Sequence, residues 1–238
     1  MKTKLKSWRH FLPRNFVSAV FPVGLLLVGT PSGFAQGFVN LDFEDATVTA
    51  TPVNGYGGSV DPASAFPGWT VGGSGTYVLY NNLTLGSPAV ILMGPNSPNG
   101  AGFTPLDGSY SAYIYYLNGS GYQQPTLSQT GLVPADAQSI SFLVGSRGSD
   151  AAVAMNGINI PLVPVSGGRL AGNISAFAGT VATLTFSAAL NRTGDNGMYF
   201  DDIQFSPSSV PEPSVFALSA LGTLFLGLHR WRNSFIRR

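Results

Sequence analysis

The feature that most limits what this chain can fold into is a period-two alternation, repeated in short runs that turn residues keep interrupting. From Gln138 to Val144, Ile140, Phe142 and Val144 share one face and Ser139 and Ser141 fall near the other. Val181 to Phe186 repeats the pattern, with Ala182, Leu184 and Phe186 opposite Thr183 and Thr185. Thr76–Leu79, Ala89–Met93, Ser109–Leu117 and Met198–Phe205 are likewise short and rich in β-branched or aromatic residues. Clusters such as Gly94-Pro95-Asn96-Ser97-Pro98-Asn99-Gly100 separate them, and Asn156-Gly157 is a two-residue hairpin signal. Runs of this length, with no convincing amphipathic helix, predict a mainly β chain folded as an antiparallel β-sandwich. Only Leu170–Ala178 reads as a short helical turn.

Both ends of the chain depart from this pattern and read as processing segments. Lys2, Lys4, Lys6, Arg9 and Arg14 precede an apolar run from Phe16 to Val28, and Gly33-Phe34-Ala35 supplies small residues. That order predicts a secretory signal peptide over residues 1–35, cut after Ala35; Pro22 and the shortness of the run argue against an uncleaved anchor. At the other end, Val210-Pro211-Glu212-Pro213 leads into an uncharged apolar stretch, Val215–Leu228, and then Arg230, Arg232, Arg237 and Arg238. Fourteen residues span about 21 Å as a helix. A ~30 Å hydrocarbon core therefore needs flanking residues such as Ser214 and His229–Trp231, with the arginines snorkelling. The stretch is apolar all round, which favours one transmembrane helix over a buried amphipathic one. The arginines predict a cytoplasmic C-terminus.

The tail, residues 210–238, resembles the PEP-CTERM sorting signal of exported bacterial proteins. The resemblance implies a transient membrane anchor, recognised and cut near Pro-Glu-Pro by an exosortase-type membrane enzyme. It further implies export to the cell surface or to an exopolysaccharide-rich extracellular matrix. Asn233–Ile236 makes the tail longer and less uniformly basic than a bare arginine stop. A permanently tail-anchored membrane protein is the alternative.

Excluding the two ends leaves residues 36–209, enough for one domain of ordinary size. This region holds three arginines, Arg147, Arg169 and Arg192, against ten acids, a net charge of minus seven. Phosphate binding needs clustered Lys and Arg, so nucleic acid is excluded as a partner. The region also has no Cys, His or Lys, which removes disulfides, thiol and Ser-His-Asp catalysis, imidazole-held metals and Schiff bases. Glu44 is its one Glu, a poor start for a two-carboxylate glycosidase. The expectation is a non-enzymatic protein.

Asn40-Leu41-Asp42-Phe43-Glu44, Pro67-Gly68-Trp69 and Tyr199-Phe200-Asp201-Asp202-Ile203 resemble jelly-roll domains of the galactose-binding, carbohydrate-binding-module type. That resemblance implies first and last strands lying side by side. It also implies a structural calcium held by Glu44 with Asp201 or Asp202, and Asp42 as a further candidate. Calcium chemistry agrees, since the ion takes several hard oxygen ligands; the other reading is that these acids are solvated strand ends. Alternation places Asp201 on the face of Tyr199, Ile203 and Phe205, pointing inward. Sugar binding would need exposed aromatics, and in Tyr113-Ile114-Tyr115-Tyr116 the rings of Tyr113 and Tyr115 share one face. Those two tyrosines either form a platform for polysaccharide or fill the core, and Trp69 reads as a core plug.

Overall fold

The computed structural model describes residues 36–49, 58–83, 86–95, 97–98, 103–118, 121–149, 151–188 and 194–210. The signal peptide, Pro211–Pro213, the apolar stretch and the four terminal arginines all lie outside the described residues. Among the described residues, no helix is long and apolar enough to cross a membrane.

These residues are mainly β. A single turn of helix, α1 (Pro62–Ala65), is capped by Asp61, whose carboxylate accepts the Ser64 amide. The strands are β1 (Thr70–Gly72), β2 (Tyr77–Tyr80), β3 (Ala89–Met93), β4 (Ser111–Asn118), β5 (Thr126–Leu132) and β6 (Ser139–Ser149). They continue with β7 (Ala151–Met155), β8 (Ile158–Asn159), β9 (Leu162–Val165), β10 (Arg169–Asn173), β11 (Val181–Ala188) and β12 (Gly194–Ser206). One sheet has the order β1-β5-β11-β7-β8 and the other β2-β3-β4-β12-β6-β10-β9.

The alternation read from the sequence places the core. Ile140 and Phe142 on β6, and Ala182, Leu184 and Phe186 on β11, are all buried between the sheets. The rings of Phe186 and Phe200 stack across the gap with centroids 4.6 Å apart, and Phe142 meets both edge-on. Trp69 is the plug its context suggests. It packs on Phe43 and Phe186, and its indole N–H donates to the Asn40 carbonyl at 2.9 Å. Side chains from both sheets share this cluster, so the arrangement is a two-layer β-sandwich.

Asn156-Gly157 turns β7 into β8 with φ of 50° and 77°, the left-handed pair that a type I′ hairpin requires. Two expectations need correction. The sandwich is not wholly antiparallel, because β2 and β3 pair in parallel. Eight residues, 81–88, separate the end of β2 from the start of β3. The segment 170–178 is a strand as far as Asn173, and only Ser175–Phe177 coils, as a 3-10 turn.

The opening segment does lie against the closing strand, although it forms no long strand of its own. Ile203 N–H donates to the Leu41 carbonyl at 3.0 Å, and the Phe38 and Phe205 rings are 5.1 Å apart. Asn40 and Phe43 adopt left-handed φ of 48° and 60°, which breaks the extended run.

Candidate functional site

Two of the carboxylates singled out in the sequence, Glu44 and Asp201, meet at the loop Leu106–Tyr110 and at Ser111, where β4 begins. Asp201 reaches it from the outer face of the seven-stranded sheet. On that face Tyr199 and Asp201 follow one another along β12, while Met198 and Phe200 point into the sandwich. The ladder then slips between Asp201 and Gln204, and Asp202 takes a left-handed φ of 46°. This bulge switches the parity, so Ile203 and Phe205 join the core side while Asp201 stays with Tyr199. Simple alternation, which grouped Asp201 with Ile203 and Phe205, fails at that one residue.

Asp201 is fully buried, and three donors converge on it. Ser111 Oγ–H donates to Oδ2 at 2.6 Å, the Asp107 amide to the same oxygen at 3.1 Å, and the Asp202 amide to Oδ1 at 2.7 Å. Burial pushes its pKa up to about 7, with the nearby Asp107 charge adding to the rise; the three hydrogen bonds pull the other way. Ser111 is itself tied down, since its Oγ accepts the Leu106 amide at 2.8 Å.

Glu44 grips the same loop from solvent. Its Oε1 accepts the amides of Ser109 at 2.7 Å and Tyr110 at 2.9 Å. Just before them Gly108 has φ +51°, and a Cβ there would run into the Glu44 carboxylate, so the close approach requires glycine. Asp42 turns back on its own segment, where Oδ1 accepts the Glu44 amide at 3.4 Å.

Asp202 goes elsewhere. Its carboxylate pairs with Arg169 at 2.7 Å and also takes the Gln204 amide group, while Arg169 donates a second bond to the Asp202 carbonyl at 2.5 Å. Burial alone would raise the Asp202 pKa, but the Arg169 and Gln204 bonds with the guanidinium charge win and lower it.

These placements test the calcium assignment through the donor set. A cation site needs lone pairs converging on a point. Here the lone pairs of Glu44 and Asp201 receive amide and hydroxyl hydrogens, and Asp202 faces a guanidinium. Among the described residues no group of three or more acids or histidines is placed to hold a metal. The hydrogen bonds of Glu44 and Asp201 form a clamp on the loop.

The tyrosine pair lies on the outer face of the seven-stranded sheet. Tyr113 is 8% exposed, lying in a second apolar cluster with Leu79, Ile91, Met93, Phe103 and Tyr199 that covers part of the outer sheet face. Phe103 meets Tyr113 at 5.1 Å and Tyr199 at 5.7 Å. Tyr115 is half-buried beside Tyr113, their rings near parallel with centroids 6.2 Å apart. An outer face looked open in the sequence because the lid, Phe103 in an irregular loop, carries no periodic signal. Ser111 and Arg169 were missed for a similar reason: each is an isolated polar residue whose partner lies far along the chain. The sorting residues Pro211–Pro213 and Arg230, Arg232, Arg237 and Arg238 fall outside the described residues, with Val210 the last one described.

No protein-family model matches this sequence, and no curated protein matches it. Among solved structures, one similar chain is TmCBM61, determined in complex with beta-1,4-galactotriose. It is 14% identical, with 72% of this chain and 98% of that one covered and a TM-score of 0.37. Another is the Stig cyclase Fisc from Fischerella sp. TAU, in complex with a pyrrolidinylidene-indole. It is 14% identical, with 74% and 99% covered and a TM-score of 0.40. Neither likeness is close enough to assign this chain to a family.

Proposed function

We propose that this is a non-catalytic exported protein of the cell surface or extracellular matrix whose sandwich binds polysaccharide. Its tail holds it in the inner membrane until an exosortase-type enzyme processes it at Pro211-Glu212-Pro213. The observation that carries the binding reading is the chain's charge distribution: from Pro62 to Ala135 the only charged residue is Asp107. Five strands, β1 to β5, come from this span. A surface built of Asn, Gln, Ser, Thr and Tyr without charge suits a neutral, hydroxyl-rich ligand. The acids support the non-catalytic part, because a glycosidase needs two carboxylates facing across a cleft. Asp201 is instead sealed beneath Ser111, Asp202 is paired with Arg169, and Glu44 braces a loop.

The test is to recover the protein from envelope and exopolysaccharide fractions of its own cells and measure its intact mass. The proposal expects a form lacking residues 1–35 and the arginine end, released when the polysaccharide is depolymerised. A full-length tail found only in the inner membrane would favour permanent anchoring. Protein unaffected by depolymerisation would remove the binding role.

A further inference from the structure

We propose that the binding surface is the loop end of the sandwich farthest from the carboxylate clamp, with Tyr77 and Tyr122 as its stacking rings and an uncharged polysaccharide as ligand. This rests on the polysaccharide-binding reading above and gives it a place.

Most large apolar side chains here are buried, yet Tyr77 is 48% exposed, Tyr122 56% and Leu117 40%. All three stand at one end of the molecule. A Cβ placed at Gly75 would touch the Tyr122 ring at 3.6 Å, and one at Gly86 would touch the Tyr77 ring at 3.8 Å. The Ser74 amide donates to Gln123 Oε1 at 2.9 Å, and the Leu117 amide to Ser87 Oγ at 2.7 Å. Tyr116, turned to the opposite face of β4 from Tyr115, donates its hydroxyl to the Tyr122 carbonyl at 2.7 Å. Side chains therefore tie the turn after β1, the approach to β3 and the exit from β4 to one another. Rings held on a braced scaffold lose little freedom when a ligand arrives.

The choice of ligand follows from charge. The lone charged residue of the span, Asp107, sits at the other end of β4, where its amide bonds Asp201. Ser111 and Leu117 are six residues apart on that strand, about 20 Å at the usual rise. Across the ladder from Leu117 stands Asp195 of β12, a charge of the sign that repels an acidic polymer. A tyrosine ring offers an apolar face and a hydroxyl, matching the C–H face and hydroxyl rim of a pyranose.

The experiment uses the full chain in detergent, run by affinity electrophoresis through gels containing neutral galactan, xylan or β-glucan, with acidic alginate as a further arm. Wild type is expected to be retarded by at least one neutral polymer and not by alginate. Tyr77→Ala and Tyr122→Ala should each weaken that binding about tenfold, the double variant should abolish it, and Tyr77→Phe should keep it. Protection of Tyr77 and Tyr122 from nitration by the bound polymer, read by mass spectrometry on wild type, gives the same answer should an alanine variant fail to fold. Retardation of wild type with no effect of the substitutions and no protection would overturn this site while leaving polysaccharide binding intact. Absence of retardation by any neutral polymer would overturn both. Equal retardation by alginate would overturn the neutral-ligand assignment.

Discussion

Replacing Ser111 by alanine tests the carboxylate clamp at its centre. The hydroxyl donates to buried Asp201 at 2.6 Å and accepts the Leu106 amide at 2.8 Å, so its loss leaves one acceptor short of a donor and one donor without an acceptor. A hydrogen bond to a charged group contributes roughly 1.5–3 kcal/mol and an orphaned amide costs at least about 1 kcal/mol. The sum is about 3 kcal/mol when Asp201 is ionised, a fall in Tm of roughly 6–12 °C for a chain this size. The pH dependence separates this from simple truncation. The Asp201 pKa, about 7 in the fold, lies above its ordinary 3.8. A carboxyl raised in this way favours the fold fully below pH 4, and that contribution disappears as pH climbs through 7, a swing of about 4 kcal/mol. Ser111 stabilises the ionised form, so its removal raises the folded value further and steepens the decline. Thermal unfolding followed by circular dichroism should show a Ser111→Ala loss of about 3 kcal/mol at pH 8 and about 1 kcal/mol at pH 5. Equal losses at the two pH values would refute the clamp as described.

Glu44→Ala should speed hydrogen exchange at the Ser109 and Tyr110 amides without altering exchange in β11, and unchanged protection would show that the carboxylate does not hold the loop. Arg169→Met leaves Asp202 without its cationic partner and should cost about 1–2 kcal/mol in urea unfolding at pH 7. Because Asp202 has a lowered pKa, that cost should shrink as pH falls through its folded value, below the ordinary 3.8. Gly145→Ala drives a methyl into the Tyr199 ring and should cost about 1–3 kcal/mol in the same assay; a neutral result would show that Tyr199 can move.

Much of the fold was legible because it depends on local periodicity. Ile140 and Phe142, and Ala182, Leu184 and Phe186, announce their face within a few residues, and Asn156-Gly157 announces its own turn. What escaped depends on distant partners or on irregular chain. The Asp202 bulge shifts the parity of β12 by one residue, and no sequence pattern marks it. The outer cover supplied by Phe103 turned Tyr113 from a candidate platform into core. Glu44 and Asp201 both act on the loop before β4. Their chemistry was not legible, because it rests on where the amides of Asp107, Ser109 and Tyr110 point.

The measurement that bears most directly on the account is a glycan array probed with the full-length protein in detergent, once with calcium and once with chelator. The account predicts binding to uncharged glycans that persists unchanged in chelator, since hydrogen bonds hold the loop. Binding that vanishes on chelation would contradict the clamp, and binding to no neutral glycan in either condition would contradict the proposed function.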